Sequence, residues 1–160
     1  MRGAAFAWLV LAGAQDVKEE KGSYRLSCFG REAGEENYRL TEFETGSVVL
    51  MSQVKFEVEI RGEKRGYVVD TSLTMSRAWA PLKYAGYHKA GREEKLVKLD
   101  WEKGKVLPAG GKPTATKATH LLDNNTIAQL LPVLRTPGAP RKVKVFRPAL
   151  LQDQDLAIED

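Results

Sequence analysis

The chain has 160 residues, 42% of them hydrophobic and 29% charged, with a formal net charge of +4. That is enough length for one domain with its own core, and the composition excludes a disordered chain. Lys and Arg are interleaved with Asp and Glu, and no arginine-rich arm or basic stripe appears, so nucleic acid is excluded as a partner.

The N-terminal stretch MRGAAFAWLVLAGAQD begins with Arg2, runs apolar from Ala4 to Ala12 and closes on small residues before Gln15. This order of charge, apolar core and small-residue site is that of a secretory signal peptide. The apolar run is too short to span a bilayer, which takes about 20 residues. Residues 1–14 are therefore expected to be a signal peptide cleaved after Ala14, which places the protein in the periplasm or outside the cell. The single cysteine, Cys28, excludes an internal disulfide framework. It reads as a small apolar side chain on a strand. A β-rich domain is expected over 23–160.

From Tyr24 onward the dominant period is two. SYRLSCF and ENYRLTEFE read as short strands separated by an acidic, glycine-bounded loop at Gly30–Gly34. In SVVLMSQVKFEVEI, Val48, Leu50, Ser52, Val54, Phe56, Val58 and Ile60 share one face. Val49, Met51, Gln53, Lys55, Glu57 and Glu59 share the other. RGEKRG is a turn, and YVVDTSLTM returns as the second strand of an antiparallel hairpin. PLKYAGYHKAG reads as an edge strand opened by Pro81, because a proline cannot donate to a ladder. EEKLVKLDW places Val97, Leu99 and Trp101 on one face, and EKG turns it into KVLP. Such strand–turn–strand units without intervening helices predict an antiparallel meander, and six or more long twisted strands tend to curl.

AGGKPTATKAT reads as a loop outside the core. Beyond it, THLLDNNTIAQLLPVL is the one helical pattern. Asp123 or Asn124 is the expected N-cap, and Ile127, Leu130, Leu131 and Leu134 form an apolar stripe. Pro132 is expected to end or kink this helix. A helix so short must pack on the sheet, where it would stopper the mouth of the curl. After the rigid turn TPGAP, RKVKVFRP returns to strand. LQDQDLAIED reads as the start of another strand, and a longer protein cut short at this point is expected. The predicted fold class is thus mainly β: an antiparallel curled sheet or half-barrel closed by one short α-helix.

The succession CFGREAGEENYRL, VVLMSQVKFEV, TSLTM, APLKY, LDW and LLDNNTIAQLL…VFRP resembles a group of uncharacterised bacterial periplasmic β-domains over about residues 23–150. They are similar in outline to the half-barrels of lipoprotein carriers, which hold acyl chains between a concave sheet and helical lids. Some members precede an α/β-hydrolase domain. The resemblance implies a fold more than an activity.

No GxSxG elbow and no glycine-rich phosphate loop is present. His88 and His120 lie beside no evident nucleophile and, with Cys28, are too scattered for a metal site. Both histidines read as ordinary strand residues, and neither a cofactor nor catalysis is expected. The Asn-x-Thr pattern at Asn124 is better explained by helix capping than by a glycan. Val49, Met51, Val68, Trp79, Tyr84, Tyr87, Trp101, Ile127, Leu130 and Leu134 are the candidates for the walls and lid of an apolar cavity. The expected function is a non-catalytic binding module for an apolar or acyl ligand, a lipid or an envelope component. Peripheral association with the envelope accords with this, and the alternative is an accessory N-terminal domain of a larger hydrolase or envelope protein.

Overall fold

A computed structural model describes residues 16–28, 30–123, 126–135, 142–148 and 150–157. The proposed signal segment, Asn124 and the TPGAP turn lie outside these residues. Four long strands lead the chain: β1 (Asp16–Cys28), β2 (Arg31–Phe43), β3 (Val48–Ile60) and β4 (Glu63–Met75). Shorter ones follow: β5 (Pro81–Ala90), β6 (Glu93–Glu102), β7 (Lys105–Pro108) and β8 (Thr114–Ala115). Each pairs antiparallel with its sequence neighbours in one eight-stranded meander. The sheet is curled but does not close into a barrel, because β1 and β8 remain its two edges.

Tight turns set this register. Arg61 and Gly62 both have positive φ (55° and 81°), as do Lys103 and Gly104 (49° and 75°). Two consecutive left-handed residues are what a two-residue hairpin turn needs to match the twist of its strands. The strands therefore run further than the sequence pattern suggests. The RGEKRG turn shrinks to two residues. The acidic stretch expected as a loop, Glu32–Gly34, is the first part of β2; its charges are tolerated there because Glu32 is exposed at the open end of the sheet. The expectation that PLKYAGYHKAG is an edge strand is also corrected. β5 pairs with both β4 and β6, and Pro81 is its first residue, at a bulge beside Met75 where a missing donor is tolerated.

The pleat divides the sheet into two unlike faces. Leu40, Val48, Leu50, Leu73, Met75, Tyr84, Leu99 and Val106 are buried on the concave side. A second layer covers it. This layer holds β9 (His120–Leu121), a 3-10 turn (Ile127–Leu130), one turn of α-helix, α1 (Leu131–Leu134), and strands β10 (Lys142–Arg147) and β11 (Gln152–Ala157). The last two pair antiparallel, and β9 joins β10 in parallel. Leu121, Ala128, Leu131 and Phe146 enter the sheet's core, and Phe146 meets Trp101 edge-on at 5.8 Å. Leu122, Val133, Val143 and Val145 form a smaller cluster within the cover itself.

The stopper is thus a helical turn plus a three-stranded sheet, not a helix alone. Pro132 occupies the first turn of α1, where a missing N–H is tolerated, and the helix ends at Leu134, within a turn of it. Of the predicted stripe only Leu131 is buried, joined by Ala128, Gln129, Pro132 and Val133 from between its positions, and Leu134 is 50% exposed. Part of the stretch read as a loop is tied down: Asp153 accepts from Thr116 Oγ1 (2.6 Å) and from the Lys117 N–H (2.8 Å), and Ala118 packs against the core. Among the described residues no helix is long and apolar enough to cross a membrane.

Candidate functional site

The concave face is not uniformly apolar. Across its middle, β2 to β6 present Tyr38, Ser52, Thr71, Gly86 and Val97 in register, with the smallest side chains at the centre. The cover settles onto this trough through polar groups. Glu36, on β2, is fully buried. Its carboxylate accepts from Ser52 Oγ (2.6 Å), from the Ile127 N–H (2.7 Å) and from the Ala128 N–H (3.1 Å). A glutamate some ninety residues upstream therefore supplies the N-terminal cap of the 3-10 turn. Thr126, the local cap position, makes no side-chain cap bond. Burial pushes the Glu36 carboxyl above its ordinary range, against the opposing pull of its three donors.

A second anchor lies three strands away. Tyr84 Oη donates to Asp123 Oδ2, and His88 Nε2 comes within 2.8 Å of the same oxygen. The Asp123 N–H in turn donates to Gln129 Oε1 at 2.6 Å. Burial, and then the adjacent Asp123 carboxylate, push the Tyr84 hydroxyl far above its ordinary pKa, so it stays a donor at any physiological pH. Gly86 makes this geometry possible. A Cβ there would collide with the Tyr84 hydroxyl, so only glycine lets the ring lie along the sheet toward Asp123. Asp123, expected to cap the helix from its own loop, instead fixes that loop to β5. Among the described residues, the buried atoms Thr71 Oγ1, Thr126 Oγ1 and Gln129 Nε2 have no hydrogen-bond partner.

The third anchor holds the end of α1. Arg135 binds both carboxylate oxygens of Glu20 on β1, Nη1 at 2.7 Å from Oε2, and Tyr38 Oη donates to the same carboxylate at 2.8 Å. The guanidinium holds the Glu20 carboxyl down to about 2.

Beyond these anchors, toward the β3–β4 and β5–β6 turns, the concave face is left open. A cleft of about 770 Å³ lies there. Phe56 and Tyr67 stack directly across β3 and β4 at 4.8 Å and 7° to form its apolar floor, with Val69 and Ala90 beside them. His88 lines its inner end, and Arg147 reaches it from the end of β10.

The sequence candidates separate into groups. Trp79, Tyr84 and Trp101 belong to the concave core, and Trp79 reaches it from a positive-φ position (62°) in the β4–β5 connection. Ile127 and Leu130 sit in the cover, half-buried, and Leu130 contacts the smaller cluster. Val49, Met51 and Val68 do not join them. Their pleat positions put them on the outer face, opposite Thr74, Ser72 and Lys55, half-buried by neighbours rather than by a lid. Val68 borders the cleft only between Tyr67 and Val69. Tyr87 also lies on the outer face, opposite Asp70. Leu134 faces solvent.

Glu36, His88, Gln129 and Arg147 escaped the sequence reading as site residues. Glu36 carried a readable signal: it alternates with Tyr38 and Leu40 and so falls on a core-facing position. His120 lies in β9, where burial lowers its pKa. The side chain of Cys28 lies outside the described residues. Among the described residues no group of three or more His, Cys, Asp or Glu side chains could hold a metal ion. No protein family, curated protein or solved structure matches this chain.

Proposed function

We propose that this protein is a non-catalytic binding module, exported to the periplasm or secreted, that takes an apolar or acyl ligand at the open end of its concave face. The observation that carries this reading is the cleft of about 770 Å³ floored by the Phe56–Tyr67 stack. Its size falls in the range of ligand sites, about 300–1,000 Å³, and its apolar floor is bordered by the charged side chains of Lys89, Glu93, Glu94, Lys95 and Arg147. The export part of the proposal rests on the order of residues 1–14. The carrier-like part rests on the quoted sequence resemblance together with a curled sheet under a cover.

The reading favours binding over catalysis because the one histidine at the cleft has a structural task. His88 and Tyr84 converge on Asp123 and hold the cover in place. Titration with a fluorescent fatty acid tests the proposal. Saturable binding is expected in the native protein, with loss in Ala90→Trp, whose indole would fill the cleft without touching the anchors. Non-saturable binding, or equal binding by the filled variant, would refute it.

A further inference from the structure

We infer that the molecule accepted by this cleft is a single-chain amphiphile with an anionic head group. The inference rests on the binding reading above and sharpens it. Charge around the cleft is unevenly compensated. Lys89 and Glu94, at its border, pair with each other at 3.3 Å. That leaves Lys95 and Arg147 against Glu93 alone. Among the described residues no carboxylate comes within ion-pair distance of Lys95 or Arg147.

The two cations line the cleft from different elements. Lys95 stands on β6 directly opposite His88, and Arg147 ends β10, one residue after Phe146, whose carbonyl accepts from the Leu122 N–H at 3.0 Å. The positive charge thus sits at the inner end of the cleft, beside the Asp123-bearing loop. The Phe56–Tyr67 stack lies one row of the sheet further out, with Glu93 at the turn. A half-buried guanidinium is weakly hydrated and suits planar or tetrahedral oxyanions. An apolar chain has no use for two cations that outnumber the one remaining carboxylate among the described cleft residues. A head-inward amphiphile satisfies both: its anion meets Arg147 and Lys95, and its tail runs over the aromatic floor toward the turns. The shared chemistry is the oxyanion, whether a carboxylate or a phosphate monoester.

Calorimetric titration with laurate, dodecyl phosphate and the neutral monolaurin, each kept monomeric, tests this in the native protein. A charge-assisted hydrogen bond of about 1.5–3 kcal/mol corresponds to a preference for the anions of about tenfold or more. Arg147→Gln should bring the ligands to within about threefold of one another while monolaurin affinity stays unchanged. Lys95→Gln, at an exposed position, should reduce the preference without disturbing the fold. A preference for laurate alone, or for dodecyl phosphate alone, identifies which oxyanion the site takes. Equal affinity for monolaurin and the anions, or a preference that survives both substitutions, overturns the inference while leaving the binding reading standing. Absence of saturable binding by all three overturns the binding reading itself.

Discussion

Replacing Glu36 with alanine should unmoor the cover. Glu36 is fully buried and accepts from three donors, namely Ser52 Oγ and the N–H groups of Ile127 and Ala128. A buried donor left without a partner costs about 1–3 kcal/mol. Ala128 and Ser52 are buried and bear the full cost, whereas Ile127 is half-buried and recovers water. Two terms alter the sum: the cavity left by the side chain adds to it, and release of the burial penalty that raises the Glu36 pKa subtracts from it. The net loss should be about 3 kcal/mol, or about 6–12 °C in Tm for a domain of this size. Glu36→Gln keeps one acceptor oxygen and should cost about half as much. Urea unfolding gives the free energies, and hydrogen exchange at Ile127 and Ala128 gives the location. A loss in Glu36→Ala below about 1 kcal/mol, or unchanged exchange at both amides, would refute the remote-cap argument.

The pH dependence of stability should carry opposite signs at two glutamates. Glu20 is held down to about 2 when folded, so its contribution is complete above the ordinary 4.5 and is lost as pH falls from there toward 2. Melting curves over that interval should flatten in Glu20→Gln relative to the native protein. Glu36 is shifted upward when folded, so its protonated form favours folding below 4.5, and that advantage fades as pH rises through the raised value. Glu36→Gln should lack this decline. Gly86→Ala should cost about 2 kcal/mol or more, measured by urea midpoint, because the added Cβ drives the Tyr84 hydroxyl off Asp123. Leu131→Ala should cost about 2–4 kcal/mol and Leu134→Ala less than about 0.5, since Leu131 is 4% exposed and Leu134 50%. Equal losses at the two leucines would mean that the cover docks on a different face.

Period-two alternation was enough to place β3, β4 and β6, because each carries three or more consecutive pleats with one dry face. It misjudged β5 because Pro81 and the small residues Ala85 and Gly86 weaken the apolar signal. Those small residues are needed where Tyr84 lies down and the cover approaches. The helical pattern located the cover but not its chemistry. Ile127, Leu130 and Leu134 suggest a greasy stopper. What seats it, though, is Glu36, Asp123 and Arg135, polar side chains bonded to partners 39 to 115 residues away, with Gln129 bracing Asp123 from six residues on. A local pattern carries no trace of a bond made across that distance. Val49 and Met51 look like cavity walls because they are apolar on a second face. The cover lies over only one face of the sheet, and on the other face Val49 and Met51 stand opposite Thr41 and Arg39. The open cleft itself arises where the cover stops short of the long β3–β4 hairpin. That depends on the relative lengths of two layers, which no single segment encodes.

Mapping amide shifts by nuclear magnetic resonance during titration with laurate tests the account at its centre. It predicts saturable shifts concentrated at Phe56, Tyr67, Val69, His88 and Lys95. Shifts centred instead on Val49 and Met51 of the outer face, or no saturation at any residue, would contradict it.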